Sequence, residues 1–173
     1  MFEPTIDWLF QCVGHNATKA LFVKCYELYE ANPKKAVYLK SIMRYFPSEM
    51  IASATTTMMT AIKDHFIAEE DRLPLIKELG MTLLRSPPKK NQPKLDFINF
   101  GWECMNKSTK PELYMDCAIV LVEFAIKNLN QTSVNLFIKE IFRKFQDFAM
   151  STTSDDKLFH KLEYLLVKVM TTA

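Results

Sequence analysis

The side chains able to do chemistry in this sequence are few and scattered. General acid–base catalysis needs titratable groups brought together with shifted pKa values, yet His15, His65 and His160 lie far apart in the chain. Asp64-His65 sets a carboxylate beside an imidazole. On the helix expected there, however, consecutive side chains point about 100° apart and do not face each other. Glu69-Glu70-Asp71 and Asp155-Asp156 are acidic clusters of the kind that attract a hard cation. Both fall at expected helix starts or in loops, where the positive end of the helix dipole favours carboxylates. A carboxylate-bridged metal bundle needs Glu-x-x-His pairs on facing helices, and the sequence has none.

Cys12, Cys25, Cys104 and Cys117 are widely spaced, with no C-x-x-C and no nearby histidine pair, so buried reduced thiols are expected rather than a zinc site. Gly14, Gly80 and Gly101 are the only glycines, which leaves almost no material for a backbone phosphate cradle. Walker-type loops, G-x-G-x-x-G, G-x-S-x-G and H-E-x-x-H are all absent. The expectation is a protein that is not an enzyme and has no catalytic residue, no metal and no cofactor.

Two stretches carry patterns suited to binding. Between residues 34 and 46, Leu39, Ile42, Met43 and Phe46 make a core stripe, while Lys34, Tyr38, Ser41 and Tyr45 follow a second line at i, i+4, i+7 and i+11. A one-sided core does not need that line. Its tyrosines suit anchors for a protein partner or stacking platforms for bases, with Lys35, Lys40 and Arg44 on phosphates; the alternative is packing against a neighbouring helix. Arg85, Lys89, Lys90 and Lys94 form a second basic cluster around Pro87-Pro88, suited to phosphate or an acidic partner or else a solvated loop. Met50, Met58 and Met59 read as an adaptable groove or as core filler.

Hydrophobic residues make up 49% of the 173 residues and charged residues 24%, a globular composition. A net charge of +2 and a pI of about 8.3 create no strong field for nucleic acid or anionic surfaces. No stretch approaches the roughly 20 apolar residues of a membrane span, and the N-terminus lacks a signal-peptide pattern. An intracellular setting, cytoplasmic or nuclear, is expected. Three N-x-[S/T] triplets, at Asn16, Asn106 and Asn130, would be glycan acceptors in a secreted protein but read equally as helix-boundary asparagines.

The apolar spacing predicts an all-α chain of about eight to nine helices, at roughly 5–13, 17–31, 34–46, 48–66, 73–85, 94–106, 111–129, 132–149 and 154–171. Prolines punctuate them, several as helix starts, at Pro4, Pro33, Pro47, Pro74, Pro93 and Pro111. Val134, Phe137, Ile138, Ile141, Phe145 and Phe148 form one stripe, and Leu158, Leu162, Leu165 and Val169 another, with Ser154 as the N-cap of the last helix. Residues 113–129 are apolar on nearly every side and should be central. Residues 95–102 also admit a strand, but Leu95, Ile98, Trp102 and Met105 keep helical spacing.

From residue 17 the helices pair as 17–46, 48–85, 94–129 and 132–171. That spacing favours antiparallel hairpins in a HEAT-like α-solenoid fragment over a closed bundle. One domain over 1–173 is expected, with an internal irregular loop at 86–93. The leading function is a protein–protein interaction or scaffold module, self-associating if the last helix leaves apolar surface for a second copy. The alternative is an RNA- or DNA-binding module whose basic clusters, 34–44 and 85–94, share one face.

Overall fold

A computed structural model of the chain describes residues 3–31, 34–151 and 156–172. Asn32, Pro33, Ser154 and Asp155 lie outside the described residues, as do the side chains of Cys12, His15 and Asp156. Among the described residues there are nine helices and no strand: α1 (Glu3–Ala31), α2 (Lys35–Tyr45), α3 (Ser48–Ser53), α4 (Thr55–Ile62), α5 (Glu69–Arg85), α6 (Asn91–Asn106), α7 (Pro111–Asn128), α8 (Gln131–Ser151) and α9 (Asp156–Thr172).

The count of nine arises differently from the one expected. The span labelled α1 holds the two helices expected at 5–13 and 17–31, divided at Gly14, whose φ of 79° and ψ of 168° are non-helical, open to glycine and hostile to other residues. The segment at 48–66 is two helices. Its break falls at Ala54 (φ −103°, ψ 20°), where the buried Thr55 hydroxyl donates back to the Ala52 carbonyl at 2.7 Å, a side-chain bond that bends helices.

Residues Met1–Phe97 form one compact unit and Ile98–Ala173 a second. In the first, α1 packs on α2, and the α3–α4 segment and α5 form the next hairpin, with α5 packed on α2. Leu39, Ile42 and Met43 of α2 and Leu75, Ile76, Leu79 and Leu83 of α5 are fully or almost fully buried. Thr82 ties the two helices by donating to the Met43 carbonyl at 3.3 Å. Phe22 of α1 meets Phe46 edge-on, 5.2 Å between ring centroids. The second helix of one hairpin thus stacks on the second helix of the next, as in an α-solenoid.

The second unit repeats this stacking. Tyr114, early in α7, packs edge-on against Phe148, late in α8, so these helices are antiparallel. Lys161 of α9 reaches Asp116 at 2.8 Å and Glu112 at 3.7 Å, while Lys168, two turns on, reaches Glu123 at 3.3 Å. Both sets of positions advance together, so α9 runs parallel to α7. α7 is buried along nearly its whole length, as its apolar run predicts, from Tyr114 and Met115 to Phe124 and Ala125. Its cover comes from α6, whose Gly101 lies against Leu121, and from α8 and α9. These are its own hairpin partner and the following hairpin, the neighbours a stack supplies. The stripes on α8 and α9 face inward, with Ile141, Leu158 and Leu165 almost fully buried. Residues 95–102 are helical.

Several boundaries depart from expectation. Pro74 does not open α5, which begins at Glu69; it sits beyond the first turn, where no N–H is left for the Glu70 carbonyl. Glu69, Glu70 and Asp71 occupy that first turn, as the dipole favours. The irregular loop is only 86–90, because α6 starts at Asn91; the longest irregular stretch among the described residues is 63–68. Asp64 and His65 lie there, past the end of α4, and not on a helix. Freed from helical geometry, His65 Nδ1 comes within 3.7 Å of Asp64 Oδ1, which corrects the expectation that the pair cannot meet.

Candidate interaction surface

Residues from both hairpins of the first unit surround a groove of about 1060 Å³. Arg85 stands in the last turn of α5, where a cation is favoured by the helix dipole, and its guanidinium donates to the Thr82 hydroxyl at 3.5 Å. Ser86, Pro87, Pro88, Lys89, Lys90 and Pro93 continue that wall. Pro88 is buried and anchors the loop, while Arg85, Lys89 and Lys90 are exposed. Pro47, Glu49, Met50, Ala52 and Ser53 of the α3 segment form the facing wall, and Gly14 and Thr18 at the kink of α1 contribute the remainder. Thr18 is buried, its hydroxyl donating to the Gly14 carbonyl at 2.8 Å.

The structure therefore gathers three of the four cations of the second cluster; Lys94 is half-buried and lines none of the groove. The first cluster is arranged differently. Arg44 approaches Glu78 at 3.7 Å, one turn from Thr82 on the row that ends at Arg85. Lys34 is exposed at the opposite end of α2, and none of 34–44 lines the groove. Tyr38 and Ser41 are exposed, with the Ser41 hydroxyl donating to the Val37 carbonyl, and Tyr45 is half-buried.

Lys35 belongs to the framework. Its ammonium donates to Asp64 at 3.1 Å, both side chains being largely covered, and sits 4.9 Å from the Tyr29 ring centroid. Asp64 also accepts the Phe66 N–H at 2.9 Å, and this bond, with Lys35, holds its carboxyl below the usual value. Tyr29 donates to the Ala61 carbonyl at 3.1 Å; burial and the nearby Asp64 charge push its phenol up to about 12. Sequence spacing could not expose this clip, because its members are 29 to 32 residues apart.

Met58 and Met59 are core, and only Met50 reaches the groove. Cys25 and Cys104 are half-buried and Cys117 is buried, and burial raises the Cys25 pKa. Asn130 caps α8, its side-chain oxygen accepting the Ser133 N–H at 2.9 Å, which is the helix-boundary role expected of it. His65 and His160 are exposed, His160 lying 3.7 Å from Glu163. On α9, Phe159, Leu166 and Met170 form an exposed apolar line at i, i+7 and i+11. Among the described residues no group of three His, Cys, Asp or Glu side chains could hold a metal ion, and no helix is long and apolar enough to cross a membrane.

Stacked helical hairpins define an α-solenoid module. Residues 17–173 match the VPS35L C-terminal domain, and the chain belongs to that family. It is 29% identical over 147 residues to the VPS35 endosomal protein-sorting factor-like protein of Homo sapiens, an alignment covering 83% of this chain and 15% of that protein. The Dictyostelium discoideum relative is 28% identical over 143 residues, covering 83% and 14%, and that of Drosophila melanogaster 21% over 173 residues, covering 98% and 17%. The chain thus spans about 15% of the length of these relatives.

Proposed function

We propose that the chain serves as a non-enzymatic scaffold in an endosomal protein-sorting assembly, holding a partner protein against the surface of its helical hairpins. The observation that carries this reading is the family match, which extends over nearly the whole chain and over both helical units. The relatives' description as endosomal sorting factors favours a cytoplasmic, endosome-associated setting over a nuclear one. Nucleic-acid binding is less well supported. Lys35, assigned to phosphate in that reading, is held by Asp64, and the groove that gathers Arg85, Lys89 and Lys90 includes nothing from 34–44.

The test is affinity purification of the tagged full chain from cells, with and without nuclease, alongside fractionation of endosomes. Recovery of a stable, nuclease-resistant set of endosomal proteins, and presence of the chain in the endosomal fraction, is the expected result. Recovery that vanishes on nuclease treatment, or absence from endosomes, would overturn the proposal.

A further inference from the structure

We propose that the groove between the 86–90 loop and the start of α3 binds an acidic, extended peptide segment of a partner protein, with Arg85, Lys89 and Lys90 engaging its carboxylates. The inference rests on the scaffold reading and names the chemistry of one partner segment.

Three observations support that occupant. First, the charges are unbalanced: Arg85, Lys89 and Lys90 line the groove against a single carboxylate, Glu49. No carboxylate partner of these three cations exists among the described residues, in contrast to Lys35, Lys161 and Lys168, which reach Asp64, Asp116 and Glu123. Exposed cations left unmatched around a concavity raise the local concentration of an anionic ligand.

Second, much of the wall between Thr18, Ser53 and Ser86 is apolar. Pro47, Pro87, Pro88 and Pro93 have no N–H, and Met50 and Ala52 add aliphatic surface. The prolines cannot extend a β-ladder. They can pack apolar side chains of an extended segment while acidic side chains reach the cations. Third, the feature is concave and bounded by three separate elements of the fold, which suits a chain laid along it better than a flat lipid surface.

The test measures fluorescence anisotropy of a labelled peptide of alternating glutamate and leucine, titrated with the full chain, beside a glutamine-for-glutamate peptide. A parallel arm floats the chain with phosphatidylserine vesicles. The acidic peptide is expected to bind and the glutamine peptide to bind at least about tenfold more weakly, with affinity falling as salt rises. Combined Lys89→Glu and Lys90→Glu substitutions, both on exposed side chains, should weaken binding by about tenfold or more, whereas Lys139→Glu on α8 should leave it unchanged. Circular dichroism checks that the variants fold, and Arg85→Gln offers a milder second variant.

Equal binding of the two peptides, indifference to the Lys89 and Lys90 reversals, or vesicle capture without peptide binding would each overturn the proposal. The outcome is separable from the broader scaffold reading. If the charge-reversed chain still recovers its endosomal partners in full, the groove assignment fails while the scaffold role stands.

Discussion

The close approach of α6 to α7 makes Gly101 the most informative single position in the second unit. A Cβ placed there would lie 2.7 and 2.9 Å from the two terminal methyls of Leu121 and 3.3 Å from its Cγ, whereas carbon atoms settle at about 3.5–4.0 Å. In an unobstructed helix interior, Gly→Ala stabilises by about 1 kcal/mol. Here Leu121 is fully buried, so its methyls can withdraw only by leaving a rotamer well or by prying the helices apart. Off-rotamer strain costs about 0.5–1.5 kcal/mol and overpacking about 1–3. The two effects oppose each other, and Gly101→Ala should destabilise by about 1 kcal/mol net. The sign should reverse once the obstruction is removed. In a Leu121→Ala background, itself destabilised by about 2–5 kcal/mol, Gly101→Ala should stabilise by about 1 kcal/mol, giving a coupling of about 2 kcal/mol in the double-mutant cycle. Urea unfolding followed by Trp102 fluorescence, with Trp8 replaced by Phe, reads this unit directly, since Trp102 packs 4.6 Å from Phe137. A stabilising Gly101→Ala of equal size in both backgrounds would refute the packing described here.

At the kink of α1, Gly14→Ala should destabilise by about 1–3 kcal/mol although nothing obstructs the added carbon, because the strain lies wholly in the backbone; thermal unfolding of the variant measures it. The Asp64 clip predicts a pH dependence. A carboxyl held below its ordinary value of 3.8 contributes stability that is complete above that value and is lost as pH falls below it through the depressed folded value. Asp64→Asn should therefore flatten the acid limb of stability measured against pH. Tyr114→Phe should be neutral or stabilising by up to about 1 kcal/mol, since its hydroxyl is buried without a hydrogen-bond partner among the described residues. A loss above about 2 kcal/mol on chemical denaturation would imply a partner for that oxygen.

Helical periodicity made the fold legible because burial is one-sided on most elements. The stripes on α8 and α9 and the all-round apolar run of α7 are statements about which face meets protein, and each was met by a packed neighbour. What periodicity cannot encode is where a helix is interrupted without a change of composition. The break at Ala54 depends on one threonine hydroxyl turning back on the chain, and the continuity of α5 through Pro74 depends on tertiary packing outweighing one lost hydrogen bond. Misplacing the end of α4 also hid the Asp64–His65 approach. One signal was present and unread: acids at 112, 116 and 123 on α7 match lysines at 161 and 168 on α9 at helical spacing. That match pairs the two helices in parallel.

The candidate site was less legible because a binding surface has no obligatory residue pattern. The basic cluster at 85–94 was visible as charge, but its facing wall, the start of α3, lies some 35 to 40 residues earlier in the chain and carries little charge of its own. Proximity between them follows from the packing of α3 on α5 within their own hairpin. Nothing from the 34–44 cluster lines the groove that gathers Arg85, Lys89 and Lys90, and Lys34 and Arg44 of that cluster themselves sit at opposite ends of α2, about 15 Å apart at 1.5 Å per residue. Cations at the Lys35 end close a structural clip, and cations beside the 86–90 loop remain open to a ligand. Identical residue types thus take a framework role on α2 and, as proposed above, a recognition role after α5, according to whether the fold brings a carboxylate to them.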